Sequence, residues 1–170
     1  PASEAQQQAY LALLRDTKRA LRKDGLEISV AVPGHDSNIS PDTWRIVDRL
    51  HLMSYDHVAP HASMAHSGAD IAFWRRAGCP PGKIYLGVPF YGRNDASEAE
   101  TWASLHARGA SHESDSYGGF HYNGCSTLSA KVQLVREHRL GGLMIWQLGQ
   151  DVEGEHSLLR CLGTAAGLDR

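Results

Sequence analysis

KIYLGVPFYGR, residues Lys83 to Arg93, is the stretch that decides the fold. From Ile84 to Tyr91 it is a short apolar run without helical period, entered from Pro80-Pro81-Gly82, and it reads as a strand. Just before it, Ala69 to Ala77 reads as a helix that stops at Gly78. Further toward the N-terminus, Arg49 to Tyr55 (RLHLMSY) and Leu26 to Val32 read as two more strands, with a short helical piece around Trp44 between them. The opening segment, Ser3 to Lys23, places Tyr10, Leu11, Leu14 and Leu21 at helical spacing behind an N-cap serine, and Asp24-Gly25 ends it. On the other side, Ser126 to Arg139 reads as a helix and Leu143 to Leu148 as a strand entered from Gly141-Gly142. A helix from about His156 to Ala166 closes the chain. Residues 94 to 124, biased towards Ser, Gly, His and acids, read as an excursion from the core.

Strands alternating with helices predict an α/β fold, a parallel sheet with helices packed outside it. Right-handed crossovers then leave two architectures, an open doubly wound sheet or part of a (β/α)8 barrel. The 170 residues suit one domain. Lys plus Arg is 17 and Asp plus Glu is 19, so the net charge is −2, which argues against a nucleic-acid arm or a basic membrane patch. No apolar run approaches the roughly 18 residues of a membrane helix. The opening PASEAQQQAY is polar and holds no secretory signal. Cys79, Cys125 and Cys161 form no C-x-x-C pair and allow at most one bridge, which leaves the redox compartment open. His57, His61 and His66 crowd one loop but match no H-E-x-x-H pattern, so neither a metal nor another cofactor is expected. The absence of G-x-S-x-G and G-x-G-x-x-G removes two common classes of α/β enzyme.

In a parallel α/β sheet, function gathers where the loops leave the C-terminal strand ends. Strand periodicity puts His51, Met53 and Tyr55 on one face, and likewise Gly87, Pro89 and Tyr91, and Gly142, Met144 and Trp146. Each face ends in an aromatic, and Asp56 follows one of them. Flat aromatic walls with a polar rim suit a sugar, whose C–H faces stack and whose hydroxyls bind carboxylates and guanidinium groups. The same aromatics would serve equally well as filling for a sheet core. Trp102, Tyr117, Phe120 and Tyr122 in the excursion carry the same two readings, a cleft wall or a small core.

LMSYD (Leu52 to Asp56), KIYLGVPFYGR (Lys83 to Arg93) and GGLMIW (Gly141 to Trp146) together resemble glycoside hydrolase family 18, the chitinase family, in its sixth, seventh and eighth barrel strands. The resemblance covers nearly all of residues 1 to 170 and implies strands five to eight of a (β/α)8 TIM barrel. Residues 94 to 124 fall where a short insertion follows the seventh strand. It implies retaining, substrate-assisted hydrolysis of β-1,4-linked N-acetylglucosamine polymers, an exception to the two-carboxylate scheme. By that resemblance Tyr55 donates to the N-acetyl carbonyl and Asp56 lines the same subsite, the two catalytic positions. Met53 packs on the acetamido region, Tyr91 and Arg93 contact hydroxyls, and Trp146 floors the central sugar, with Gln147 where many members carry glutamate. The expected partners are chitin or chito-oligosaccharides, and the expected location is extracellular.

The chain departs from the family in one large respect. The signature D-x-x-D-x-D-x-E, whose glutamate is the general acid, occurs nowhere in residues 1 to 170. The resemblance places Pro1 directly after it. The expectation is therefore a C-terminal half-barrel that does not cleave chitin alone, completed by the strands of the other half or by a second copy. The rival expectation is a chitinase-like lectin that binds chito-oligosaccharide without cleaving it.

Overall fold

The computed structural model describes residues 2–36 and 38–168, so Pro1 and its place after the signature lie outside the described residues. Helix α1 (Glu4–Arg22) opens on a capping box: the Ser3 hydroxyl accepts from the Gln6 N–H, and the Gln6 side chain accepts from the Ser3 N–H. Then come β1 (Ser29–Pro33), α2 (Thr43–Ile46), β2 (Arg49–Met53), α3 (Met64–Arg76) and β3 (Ile84–Pro89). A small lobe follows, made of β4 (Tyr91–Arg93), β5 (Ala99–Thr101), α4 (Trp102–Ala107), β6 (Ser116–Tyr117) and β7 (Phe120–His121). The chain returns through α5 (Cys125–Glu137), β8 (Gly142–Trp146) and α6 (Leu158–Ala166).

Strands β1, β2, β3 and β8 pair in that order, all parallel. This is the consecutive order of a (β/α)8 barrel, not the reversing order of a doubly wound sheet. The helix-facing side of the sheet is the core. Leu50, Leu52, Ile84, Leu86 and Val88 are fully buried there, against Ile71 and Trp74 of α3 and Leu128 of α5. Each such aliphatic contributes about 1.5–3 kcal/mol relative to its exposed state. The opposite face would be a barrel's interior. In the described residues it is largely open: Ser29, Ala31 and Pro33 are exposed, and Trp146 keeps 52% of its surface.

Several boundaries differ from the sequence reading: β1 begins at Ser29, β2 ends at Met53 and β8 ends at Trp146. Strand β3 ends at Pro89, and Tyr91–Arg93 belongs to a second, antiparallel sheet ordered β5-β4-β7-β6. Phe90 is the crossover, its N–H donating to the Trp146 carbonyl and its own carbonyl accepting from the Trp102 N–H. The second sheet therefore starts three residues before the excursion's apparent start at residue 94. Helix α3 also begins five residues early, because the Ser63 hydroxyl caps the His66 N–H. Within the lobe, Trp102, Phe120 and Tyr122 are buried with Leu105 and Val132, and Tyr117 packs against them, so these aromatics form a core and not a cleft wall. Cys125 and Cys161 join α5 to α6, and Cys79 stays free and buried. The acid-rich loop before α6 has a structural role as well, since Asp151 accepts from the Ser157 hydroxyl and from the Leu158 and Leu159 N–H groups.

Candidate functional site

The tips of β2, β3 and β8 converge with the root of the lobe. Beyond β2 the chain bends at Asp56, whose φ of 64° lies in the left-handed region that aspartate tolerates better than most residues. This bend aims the Asp56 carboxylate across the sheet. The Tyr91 hydroxyl donates to Asp56 Oδ1 at 2.5 Å, and Arg93 Nε lies 2.9 Å from the same oxygen. Two residues of β4, two apart in sequence, thus hold a carboxylate contributed by the bend that follows β2.

The Tyr55 ring lies edge-on to Tyr91, with ring centroids 6.2 Å apart. Met53 and Met144 pack against the pair, and the Tyr55 hydroxyl lies 4.0 Å from Met144 Sδ. Gly87 makes this possible. A Cβ there would sit 2.4 Å from the Leu52 carbonyl oxygen and 2.9 Å from Tyr55 Cε1, so only a residue without one lets the ring lie across β3.

Burial, with the Asp56 charge second, pushes the Tyr55 hydroxyl up to about 12. Burial also raises Tyr91, reinforced by its hydrogen bond to Asp56. Both phenols are therefore held as neutral O–H donors at any ordinary pH. His61 is only 2% exposed, and burial drives it down to about 4 against the pull of Asp56. Kept neutral, it uses Nδ1 to accept the Asp56 N–H at 3.3 Å. The site at neutral pH thus offers a carboxylate acceptor, a guanidinium and neutral hydroxyls.

Three adjoining hollows meet at Asp56. The largest, about 440 Å³, runs between His57, His61 and Arg93; another of about 410 Å³ lies between His35, Met53 and Tyr55. The smallest, about 230 Å³, places Tyr91, Arg93 and Trp146 around one opening. Tyr55, Asp56, Met53, Tyr91, Arg93 and Trp146 thus come together around one cleft. Gln147 does not line these hollows. Its side chain caps the turn Leu148–Gln150, and Gln150 faces the opening instead.

Behind the cleft sits a polar cluster that the sequence reading missed. Asp70 of α3 is fully buried, and its Oδ2 accepts from the Ser54 hydroxyl at 2.7 Å and lies 2.9 Å from His57 Nε2. His35 Nδ1 approaches Oδ1 at 3.1 Å. The cluster fixes His57, which lines two of the hollows. The signal was present in α3, where Ser67 and Asp70 share the i, i+3, i+4, i+7 stripe with Ile71 and Trp74, polar residues on a core-facing side. His57, His61 and His66 do not converge on one point. The first faces Asp70, the second Asp56, and the third stacks on His57 with centroids 4.3 Å apart.

Comparison with known proteins bears on this geometry. The sequence profile described as glycosyl hydrolases family 18 matches residues 1–151. A chitinase-like protein, Idgf4, of Glossina morsitans morsitans is 33% identical over 113 residues, 54% of this chain and 26% of its own length. An endochitinase of Manduca sexta is 27% identical over 111 residues, 50% of this chain and 20% of its own. The chain thus spans about a quarter of the length of these relatives. The solved structure of a family 18 chitinase from the chitin utilization locus of Flavobacterium johnsoniae superposes with a TM-score of 0.85 at 27% identity, over 92% of this chain and 55% of that one.

Proposed function

Since the chain belongs to family 18 of the glycosyl hydrolases, we propose that its cleft binds β-1,4-linked N-acetylglucosamine chains. The observation that carries this reading is the Asp56 carboxylate, held by Tyr91 and Arg93 beside the exposed face of Trp146. An indole half open to solvent takes the apolar face of a pyranose, while the carboxylate accepts from its hydroxyls and Arg93 donates. Tyr55, kept protonated by burial, donates to the acetamido carbonyl. This contact orients the acetamido oxygen toward the anomeric carbon for substrate-assisted, retaining cleavage.

Hydrolysis needs a proton donor for the glycosidic oxygen, and residues 1–170 contain no D-x-x-D-x-D-x-E. Our reading is that Tyr55 and Asp56 supply the orienting half of a chitinase site and that the chain alone binds without cleaving. The open inner face, with Ala31, Pro33 and Trp146 exposed, is then the surface that further barrel strands or a second copy would cover. The similarity to a protein named chitinase-like keeps a non-cleaving carbohydrate binder as the second reading. It differs from the first in the residue that ends the D-x-x-D-x-D-x-E signature. Binding to an extracellular polymer supports reading the protein as one that works outside the cell.

Chitotriose titrated calorimetrically into the chain, beside an assay of chitobioside turnover, tests both parts. Binding without turnover is expected. No binding removes the substrate assignment, and turnover by material of verified mass removes the claim that the acid is lacking.

A further inference from the structure

Away from the cleft, three histidines from three separate segments meet. His106 lies on α4, His112 on the loop after it, and His156 at the end of the one-turn helix Gly154–His156 before α6. The His156 ring centroid is 4.7 Å from that of His106 and 4.8 Å from that of His112. The Nδ1 atoms of His112 and His156 face each other at 3.1 Å. On its far side each of these two rings meets a glutamate: His112 Nε2 lies 3.1 Å from Glu113 Oε1, and His156 Nε2 lies 3.3 Å from Glu155 Oε1.

The carboxylates decide where the protons sit. An ionised carboxylate only accepts, so each Nε2 carries a hydrogen, and in the neutral ring each Nδ1 is then left with a lone pair. Two lone pairs aimed at each other at this distance repel unless a cation lies between them. A divalent transition metal fits the gap. With metal–nitrogen bonds of about 2.0–2.1 Å, nitrogens 3.1 Å apart subtend roughly 100° at the metal, close to a tetrahedral or cis square-planar angle. A carboxylate on the remote N–H of a ligating imidazole is also the usual outer partner in such sites.

The neighbouring groups narrow the choice. Cys125 lies near His112 and Glu113, but its sulfur is bonded to Cys161 and offers no thiolate. His106 is engaged elsewhere, its Nδ1 lying 3.1 Å from the Ala110 carbonyl, so the nitrogens facing the gap are those of His112 and His156. An imidazole set prefers zinc, copper or nickel to calcium or magnesium. The scaffold is rigid as well. The His112 carbonyl accepts from the Cys125 N–H, the His156 carbonyl accepts from Trp102 Nε1 at 3.1 Å, and the disulfide ties α5 to α6.

We propose that His112 and His156, oriented by Glu113 and Glu155, form a binding site for a divalent transition metal ion that links the lobe to the segment preceding α6. The site is separate from the carbohydrate cleft and does not depend on that reading.

Zinc chloride titrated calorimetrically into the chelator-treated chain at pH 7.5 tests it, with thermal unfolding as a second readout. One ion per chain is expected, with a rise in Tm at excess zinc by mass action. His112→Ala and His156→Ala should abolish this binding. Glu113→Gln and Glu155→Gln change only exposed side chains, leave folding out of the question, and should weaken zinc by about 10–100-fold. No uptake by the unaltered chain overturns the proposal and leaves a shared proton in the gap. Undiminished uptake by the folded double histidine variant, or by both glutamine variants, overturns it equally.

Discussion

Replacing Gly87 by alanine tests the link between the sheet and the cleft. The added methyl would lie 2.4 Å from the Leu52 carbonyl oxygen, 2.9 Å from Tyr55 Cε1 and 3.2 Å from Met144 Cε. The methionine methyl can swing away. The carbonyl cannot, because Leu52 is held in the β2–β3 ladder opposite Leu86. Overpacking of this kind costs about 1–3 kcal/mol, and a backbone obstacle puts Gly87→Ala in the upper half of that range. The lower chain entropy of unfolded alanine offsets about 0.4–1 kcal/mol. A net loss of about 2 kcal/mol corresponds to a fall in Tm of about 4–8 °C for a chain of this size. Because the methyl also displaces the Tyr55 ring, affinity for chitotriose should fall at least about tenfold, or 1.4 kcal/mol. Circular dichroism melts and calorimetric titration read the two effects. An unchanged Tm together with unchanged affinity would refute the argument that Gly87 is there to seat Tyr55.

Trp146→Ala should leave the melt within about 0.5 kcal/mol of the parent, since half the side chain is already exposed, yet raise the Kd for chitotriose about tenfold. An equal loss in both would place the indole in the core instead. His61, held near 4 by burial against an ordinary 6.5, makes the unfolded state bind the extra proton between those values. Its contribution is whole above about pH 6.5 and is lost as the pH falls towards 4, so the urea midpoint should drop across that window and drop less in His61→Asn. Lys131 is fully buried with its ammonium on the Ala62 carbonyl, and desolvation lowers it from 10.5 to about 7. Between those values the unfolded chain again binds more protons, so the stability of the parent relative to Lys131→Met should rise from pH 7 to pH 9.5. A flat difference would mean that Lys131 stays charged throughout.

The parallel core was legible because its strands carry their own period and their own stops. Leu50 and Leu52, then Ile84, Leu86 and Val88, alternate with residues of the other face, and Pro33-Gly34 and Gly78 punctuate the connections. Tyr55, Asp56, Tyr91 and Trp146 could be grouped because they sit at, or within three residues of, the C-terminal ends of those strands. The lobe was less legible. Its strands β6 and β7 are two residues long and too short to show a period, and its aromatics carry no mark that separates a core from a cleft wall. Residues 91–93 read as a continuation of β3 because the turn at Phe90 depends on hydrogen bonds to Trp146 and Trp102, partners 56 and 12 positions away. Pairings of that range leave no local trace. The same holds for His61 under Asp56 and for Asp70 behind Ser54, where the partner defines the role.

The way the site is held follows from which face of the sheet is buried. Side chains on the helix-facing side make a core within the chain, and they fix the height and spacing of the strand tips. The opposite face gives its strands little support, as the exposure of Ser29, Ala31 and Pro33 shows. Even so, Asp56, Tyr91 and Arg93 are locked together, because β4 enters the lobe and pairs with β5 and β7 instead of relying on the open face. The lobe is tied in turn to α5 and α6 by the core around Trp102 and Leu158. The Asp56 carboxylate is therefore braced from outside the sheet. A chain whose inner face is open can keep this half of the cleft in its binding geometry, and that is why binding, before any cleavage, is the property to measure on it.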